Sequence, residues 1–283
     1  MQFYGSVPQY DLTYSDVFLV PGRSGIDSRL DVSIAPADAT GMHIPIVSAN
    51  MNSVTGPRLA SALARRGGLG VLPQDMHLQD LDAAIRWVKQ QPVAFDSLIS
   101  LSPDSTVAQA LTQLPPVEGH GIVLHDSRGQ YLGCISAAGL GTAPPDARLG
   151  DLLHGALPSI DADDVTTGRA AFDLMVEAEL EFAPVLRHGQ VIGTLSRTSA
   201  LRSTLYSPAI DKFGQLRIAA AIGITGDVER KATALAAAGV DVLVLDTAHG
   251  HQNAMVAALE RVASLGLDIP LVAGNVVTPD GVR

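Results

Sequence analysis

The chain has 283 residues, 47% of them hydrophobic, and a net charge of −10. This acidic balance is unsuited to a nucleic-acid backbone, so no nucleic-acid partner is expected. The apolar runs are too short and too broken to span a membrane, and the N-terminus lacks the pattern of a secretory signal. The single cysteine, Cys134, excludes an internal disulfide and a multi-cysteine metal cluster, and it favours a reducing cytoplasm.

The first part of the chain predicts a β-α-β-α pattern after an extended, turn-rich segment over residues 1–44. Pro57 is well placed to begin a helix, and Gly67 and Gly68 would end it. An amphipathic helix is closed by Pro92. The predicted elements are strands 44–51 and 69–73 and helices 59–66 and 78–91.

Residues 96–203 divide into two similar halves of about 55 residues each, which indicates a tandem repeat. Each half predicts a short apolar segment, a helix, a strand, a glycine turn and a second strand. The helix starts are predicted at Ser105-Thr106 and at Asp164 or Thr166, and the turns at Gly129 and Gly189. Cys134 falls in a strand of the first half and is expected to be a buried core thiol.

The β/α rhythm returns after Lys212. Strands are predicted over 216–223, 240–246 and 269–275, helices over 227–238 and 252–265, and a further helix from Pro279. Two β/α units therefore precede the repeat, and two more plus a fifth strand follow it. The sequence predicts an α/β fold, a TIM (β/α)8 barrel of which about five strands are present, interrupted by the tandem insertion.

Polar residues end two of these strands. Asp246 closes a continuously apolar strand, and Asn275 closes the next one. Carboxyl ends of parallel strands meet at one edge, so these residues predict a ligand-binding face. His249 and His251 lie nearby, but two histidines without a third ligand do not make a zinc site, and no metal is predicted.

Six runs, in order along the chain, resemble the IMP dehydrogenase/GMP reductase family. They are LTYSDVFLVPGRS, IPIVSANMNSVT, ARRGGLGVLPQDM, DKFGQLRIAAAIG, AGVDVLVLDTAHGHQ and IPLVAGNVVTPDGVR. The tandem halves resemble a pair of CBS domains, the Bateman module, at the family's usual insertion point. The resemblance divides the chain into catalytic barrel (1–92 and 207–283) and CBS pair (93–206, as 93–150 and 151–206).

In this family a cysteine thiolate attacks C2 of a purine nucleotide, and hydride passes between C2 and a nicotinamide. The resemblance implies that Met51 packs on the purine and that Asp246 lies beside the nicotinamide riboside. The implied substrate residues are Ser48, Ala49, Asn50, Met51, Gly274 and Asn275, and the implied cofactor residues are Asp246, Thr247 and Ala248.

The family's nucleophile lies in a glycine-rich loop after the sixth strand, with which a monovalent cation is associated. We expect the chain to stop before that loop, to contain no catalytic residue, and to be inactive alone. Cys134 lies in the insertion and is no substitute.

The run Ala49-Asn50-Met51 is more similar to GMP reductases, whereas the CBS pair and the run from Asp246 to Gly250 are more similar to IMP dehydrogenases. The mixture resembles an actinobacterial branch that retains CBS domains and acts as a GMP reductase. We therefore favour conversion of GMP to IMP with NADPH. The alternatives are an IMP dehydrogenase that uses NAD and a non-catalytic, nucleotide-sensing CBS protein.

Nucleotide-binding CBS domains commonly carry an aspartate that holds the ribose, and here Gly139 and Ser199 stand in its place. ATP or GTP binding is implied but weakened, and a purely structural or assembly role is the alternative. The family also implies a homotetramer, or an octamer joined through the CBS domains. The implied regulatory residues are Ser136, Ser196, Arg197 and Thr198.

Overall fold

The computed structural model describes residues 6–10, 12–114, 117, 119–153 and 158–283. The chain divides into two compact units, Met1–Ile34 and Ala35–Arg283. The first unit contains two short 3₁₀ turns, Tyr14–Asp16 and Arg29–Asp31. Asp16 accepts hydrogen bonds from the backbone and hydroxyl of Thr13, which lower the pKa of its carboxyl. The rest of the described part of this unit is irregular, as the Pro- and Gly-rich sequence predicts.

The second unit is built on a five-stranded parallel sheet. Its strands are β1 (Val47–Ser48), β2 (Leu69–Leu72), β9 (Ala219–Ile222), β10 (Val242–Asp246) and β11 (Leu271–Gly274). Their order in the sheet, β1-β2-β9-β10-β11, is also their order along the chain. Successive parallel neighbours of this kind form the wall of a half-barrel. The prediction of an α/β fold with a parallel, partial barrel is confirmed.

Helices follow these strands and cover one face of the sheet. The covering helices are α1 (Pro57–Ala64), α2 (Leu78–Lys89), α7 (Val228–Ala238) and α8 (Asn253–Ala263). A short helix after β11, α9 (Pro279–Val282), buries none of its residues. Leu72, Ile222 and Leu245 point toward the covering helices and are fully buried with them in one core. The alternate residues Val71, Ala221 and Val242 form a second cluster on the opposite face. Strands buried on both faces explain the continuous apolar runs.

Glycine at position 70 allows helix α1 to approach the sheet closely. A Cβ atom on Gly70 would lie 2.5 Å from Cα and Cβ of Ala60, in the middle of α1. Both positions must therefore be small, and a larger residue at either one would push α1 away from β2. This contact matters for function because α1 begins just after the polar loop that follows β1.

Between β2 and β9 the chain forms two units of the same topology. The first contains β3 (Ser100–Leu101), α3 (Val107–Gln113), β4 (Gly121–His125), β5 (Tyr131–Ser136) and α4 (Ala137–Thr142). The second contains β6 (Ile160–Asp161), α5 (Gly168–Glu177), β7 (Phe182–Arg187), β8 (Gln190–Ser196) and α6 (Arg197–Ser203). In each, a parallel pair is followed by an antiparallel hairpin, and each has its own apolar core.

Two predictions within the repeats need correction. The second repeat's helix is capped by Thr167, not by Asp164 or Thr166, because Asp164 ends a separate 3₁₀ turn whose N-cap is Asp161. Cys134 is only partly buried. Burial raises the pKa of its thiol, although the hydrogen bond from Tyr131 acts the other way. The sulfur thus packs at the edge of the first repeat's core.

The observed strands are shorter than predicted because backbone groups at their ends have other partners. The N–H of Ile218 donates to the Asp241 carboxylate (2.8 Å) rather than to a neighbouring strand. Leu216 pairs with Ile210 in an isolated bridge. Val240 donates to Leu235 in the turn that ends α7 at Gly239, whose φ is +96°. The predicted strand 44–51 is reduced to two residues.

The amino end of the sheet is held by a buried ionic cluster. Lys89, at the end of α2, donates to Asp211 (2.8 Å) and to Asp241 (2.7 Å), and all three side chains are at most 11% exposed. Asp211 lies in the segment that returns from the insertion, and Asp241 immediately precedes β10. The cluster therefore ties the two separated parts of the half-barrel together.

Candidate active site

The residues predicted to bind substrate and cofactor meet at the carboxyl edge of the parallel sheet. The loop after β1 carries Asn50, and Asp246 is the last residue of β10. Asn50 Nδ2 donates a hydrogen bond of 2.9 Å to Asp246 Oδ2, across 196 positions of sequence. Strand topology alone predicts that the two strand ends share an edge. The hydrogen bond shows that the two side chains are also in contact.

The loop after β1 is shaped by a threonine that the sequence reading missed. Thr55 is 2% exposed, and its hydroxyl lies 2.8 Å from Ser48 Oγ and 2.5 Å from the Ala49 carbonyl oxygen. Its own N–H donates to the Met51 carbonyl. The loop is thus folded back against β1, and Met51 is left 57% exposed. An exposed methionine on an ordered loop provides an apolar surface for a flat ring.

Beyond β10 and β11, backbone hydrogen bonds extend the strand pairing into the site. Thr247 N donates to Gly274 O (2.9 Å), and Asn275 N donates to Thr247 O (2.8 Å). Gly250 N donates to Asn275 O (2.7 Å), and a Cβ at Gly250 would lie 2.6 Å from that oxygen. Glycine is therefore required at position 250. The predicted cofactor segment and the predicted substrate segment form one backbone unit.

Gln252 is a second residue that the sequence reading missed. It occupies the N-cap position of α8, and its side-chain amide donates to the His249 carbonyl (2.7 Å) and approaches Thr247 Oγ1 (3.3 Å). The run from Thr247 to Gln252 is thereby closed into a compact turn. Glutamine is not among the preferred N-cap residues, so the sequence does not indicate this role for Gln252.

The exposure of these residues leaves the edge open to a ligand. Asp246 and Thr247 are half-buried, whereas Ala248 and Asn275 are exposed. Among the described side chains, no group of three His, Cys, Asp or Glu residues converges as a metal site would require. The arrangement offers a carboxylate oriented by an amide, an apolar methionine and exposed backbone groups. Such a surface can orient a polar, aromatic ligand.

The predicted regulatory residues lie in the repeats, away from the sheet edge. Ser136 caps α4 by accepting from Gly139 N (3.2 Å). Ser196 caps α6, and its hydroxyl lies 2.9 Å from that of Ser199.

Arg197 forms an ion pair with Glu181, and its Nε is buried without a partner among the described residues. Ser196 and Thr198 line a cleft of about 450 Å³ beside helix α1, whereas Ser136 and Arg197 are not among its lining residues. The four predicted regulatory residues therefore do not share one cavity.

In the part of the chain that the structure describes, no helix is both long and apolar enough to cross a membrane.

Comparison with known proteins identifies the family. A model of the "IMP dehydrogenase / GMP reductase domain" matches residues 11–283. A GMP reductase of Mycobacterium tuberculosis is 42% identical over 280 residues, which are 99% of this chain and 58% of that protein. An inosine-5'-monophosphate dehydrogenase of Staphylococcus saprophyticus is 30% identical over 279 residues, 96% of this chain and 57% of that protein. The chain thus spans a little over half the length of these curated relatives.

Solved structures lead to the same family. A variant GMP reductase from Trypanosoma brucei in complex with guanosine 5'-monophosphate is 26% identical, with a TM-score of 0.58 over 98% of this chain and 60% of the other. The enzyme from the same organism in complex with guanosine 5'-triphosphate has a TM-score of 0.57, again at 26% identity, over 98% of this chain and 68% of the other. The sequence and structural matches agree, and the chain belongs to the IMP dehydrogenase/GMP reductase family.

Proposed function

We propose that the protein is a GMP reductase, which converts GMP to IMP and ammonia with NADPH. The observation that carries the proposal is the 2.9 Å hydrogen bond between Asn50, on the implied substrate loop, and Asp246, in the implied cofactor segment. Hydride transfer requires the two reacting carbons to be held close together, so both binding segments must lie at one edge. The 42% identity to the mycobacterial GMP reductase favours this activity over that of the IMP dehydrogenases, which match at about 30%.

The residues at this edge suggest a division of roles. Met51 would pack on the purine, and Ser48, Ala49, Gly274 and Asn275 would line its edge and ribose. Asp246 would accept hydrogen bonds from the riboside hydroxyls of the cofactor, with Thr247 and Ala248 beside it. Asn50 would keep the Asp246 carboxylate in place while facing the substrate. NADPH, when bound, supplies the hydride.

The open polar edge fits such a cofactor, because Asp246 is partly exposed and only Asn50 donates to its carboxylate among the described side chains. A buried, fully satisfied aspartate would be unable to accept further hydrogen bonds. No carboxylate other than Asp246 has been implied for this role, so its removal is the most direct test of the site.

The finer assignments are part of the same proposal. The half-barrel would belong to a TIM barrel, and residues 93–206 would be a CBS pair that binds ATP or GTP and regulates the enzyme. The repeated topology of two three-stranded units supports this reading. A cytoplasmic tetramer or octamer is the assembly that we expect.

The test follows absorbance at 340 nm with the native full-length protein. GMP with NADPH should give a falling signal, and IMP with NAD should give none. Asp246→Asn should reduce kcat/KM by roughly 100-fold, because a charged acceptor is lost from the site. Asp268→Asn, an exposed aspartate before β11 at the opposite end of the sheet, is the matched control. A rise with IMP and NAD alone would replace the proposal with an IMP dehydrogenase.

A further inference from the structure

Gln252 is the N-cap residue of α8, but its side chain does not cap the helix. The helix begins on its backbone, because the Gln252 carbonyl accepts from Met255 N (3.0 Å) and Val256 N (3.2 Å). N-cap positions favour serine, threonine, aspartate and asparagine, whose short side chains accept hydrogen bonds from the first turn. The longer glutamine side chain instead turns back toward the preceding loop. The start of the helix therefore does not explain why a glutamine stands here.

The side-chain amide of Gln252 bonds two groups of that loop. Nε2 donates to the His249 carbonyl oxygen (2.7 Å) and to Thr247 Oγ1 (3.3 Å). A primary amide has two N–H groups, so it can make both bonds at once. In the part of the chain that the structure describes, no other donor reaches the His249 carbonyl. One side chain thus fixes two positions of the turn between β10 and α8.

The two ends of this turn are held by the backbone of the neighbouring strand. Thr247 N donates to the last residue of β11 (2.9 Å), and Gly250 N donates to the residue after it (2.7 Å). The two residues between them, Ala248 and His249, are exposed. Among the described side chains, only that of Gln252 bonds this exposed stretch. The middle of the turn therefore depends on the Gln252 amide for its conformation.

The same amide determines what the Thr247 hydroxyl can offer a ligand. A threonine has more than one allowed χ1 rotamer, and the contact with Gln252 selects one of them. The amide N–H occupies an acceptor position of the hydroxyl oxygen, and among the described residues no group accepts the hydroxyl proton. The half-buried hydroxyl is therefore left as a hydrogen-bond donor, in the residue directly after the acceptor Asp246.

We propose that Gln252 is a positioning residue for the nicotinamide cofactor. It holds the turn over residues 247–250 in the form that receives the nicotinamide riboside. The Thr247 hydroxyl then donates to an oxygen of the riboside, while the Asp246 carboxylate accepts from its hydroxyl groups. A turn that is already ordered avoids the entropic cost of ordering it when the cofactor binds. This role rests on the proposed function, because that function makes residues 246–248 the cofactor segment.

Steady-state kinetics of the native full-length protein and of its Gln252→Ser variant test this role. Serine is too short to reach Thr247 or His249, but it is a preferred N-cap residue, so α8 should begin equally well. The KM for NADPH should rise roughly tenfold, as expected when hydrogen-bonding groups of a site lose their orientation. The KM for GMP should change little, because Thr55 holds the Ser48–Met51 loop. The midpoint of denaturant unfolding should be unchanged or higher.

Two further variants separate positioning from helix stability. Gln252→Glu keeps the length of the side chain, but a carboxylate has no N–H for the His249 carbonyl and would itself accept the Thr247 proton. Its KM for NADPH should rise at least as far, although an acidic residue at a helix start stabilises the helix. Gln79→Ser makes the same change as Gln252→Ser at an exposed position in the first turn of α2 and should leave that KM unchanged. An equal rise in Gln79→Ser would overturn the proposal, as would a Gln252→Ser variant that unfolds at lower denaturant with its KM for NADPH unchanged.

A double-mutant cycle tests the contact between Gln252 and Thr247. Thr247→Val keeps the branched shape of the side chain and removes its hydroxyl. Because the two residues share one hydrogen bond, Gln252→Ser should raise the KM for NADPH less in the Thr247→Val background than in the native protein. Equal effects in the two backgrounds would contradict the role assigned to the hydroxyl.

The choice of substrates separates this proposal from the proposed function. Turnover of GMP with an unchanged KM for NADPH in Gln252→Ser would remove the role of Gln252 alone. If the native protein instead oxidises IMP with NAD, the reductase assignment fails, and a tenfold rise in the KM for NAD in Gln252→Ser would still support the role of Gln252. A native protein that turns over neither pair, and that binds neither NADPH nor NAD in calorimetry, would overturn both.

Discussion

Strand β10 has an aspartate at each end, and the two carboxylates lie in different surroundings. Asp241, just before the strand, is buried and accepts from Lys89 Nζ (2.7 Å) and from Ile218 N (2.8 Å). Asp246, the last residue of the strand, is half-buried, and Asn50 donates to its Oδ2. The amino-end carboxylate has its partners within the fold, whereas the carboxyl-end carboxylate is available to a ligand. The same residue type thus supports stability at one end and a candidate site at the other.

The largest expected effect comes from removing the cation of the buried cluster at the amino end of the sheet. Lys89→Ala should lower the free energy of unfolding by about 3–5 kcal/mol, because Asp211 would be left buried without a cation and Asp241 would keep only Arg217, 3.9 Å away. Denaturant unfolding measures this change. Arg86→Ala on the same helix is the control, since Arg86 is 57% exposed in its pair with Asp82 and should contribute about 0.5 kcal/mol or less. Equal losses in the two variants would contradict a special role for the buried cluster.

A smaller effect is expected from removing the hydrogen bond between Asn50 and Asp246 at the carboxyl end of the sheet. Asn50→Ala removes the donor to Asp246, so the carboxylate loses its fixed orientation, and kcat/KM for GMP should fall about tenfold, or roughly 1.4 kcal/mol. The free energy of unfolding should change little, because Asn50 lies in a partly exposed loop. Steady-state kinetics of the full-length protein and denaturant unfolding measure the two quantities. Asn253 is an exposed asparagine at the start of α8, and Asn253→Ala should change neither kcat/KM nor the free energy of unfolding. If Asn50→Ala lowered the free energy of unfolding and left kcat/KM unchanged, the assignment of the carboxyl end to ligand binding would be wrong.

The contrast between the two ends also explains what the sequence could predict. The apolar runs ending in Asp246 and Asn275 predict both the parallel sheet and the edge where the candidate site lies, because strand polarity determines which ends meet. The Asn50–Asp246 contact joins residues far apart in the chain, so no local pattern contains it. The role of Thr55 was missed for a related reason. A threonine before Gly56-Pro57 indicates the start of a helix, and nothing in the local sequence indicates that its hydroxyl contacts Ser48 and Ala49 in the loop after β1.

The amino end was least visible in the sequence. The local sequence around Lys89 is typical of a cation near the end of an amphipathic helix, and Asp211 and Asp241 stand where turns are predicted. Their contact depends on the return of the chain after an insertion of more than one hundred residues, which periodicity does not describe. The same long-range packing shortened the predicted strands, because Asp241 takes the N–H of Ile218 that a longer strand would have used.

The smallest expected effect distinguishes the two carboxylates of the buried cluster by pH. Burial raises the pKa of Asp241 above 3.8, despite the hydrogen bond from Lys89. Burial also raises the pKa of Asp211, but hydrogen bonds from Lys89 and from two backbone N–H groups outweigh it, and the net pKa is lowered below 3.8. The two groups therefore titrate on opposite sides of their unfolded value.

These shifts have opposite signs in the free energy of unfolding. Between pH 3.8 and its raised pKa, Asp241 is protonated to a greater extent in the folded state than in the unfolded state. Its contribution to the free energy of unfolding therefore increases as pH falls from 7 toward about 4. Asp211 holds fewer protons in the folded state below 3.8, so its contribution is present above that pH and is lost as pH falls through its lowered pKa. Denaturant unfolding from pH 7 to pH 3 measures both effects. As pH falls from 7 toward about 4, the free energy of unfolding of the native chain should rise relative to that of Asp241→Asn. Below about pH 3.8, the free energy of unfolding of the native chain should fall relative to that of Asp211→Asn. If both comparisons showed the same pH trend, the two carboxylates would titrate as one group and the predicted opposite signs would be wrong.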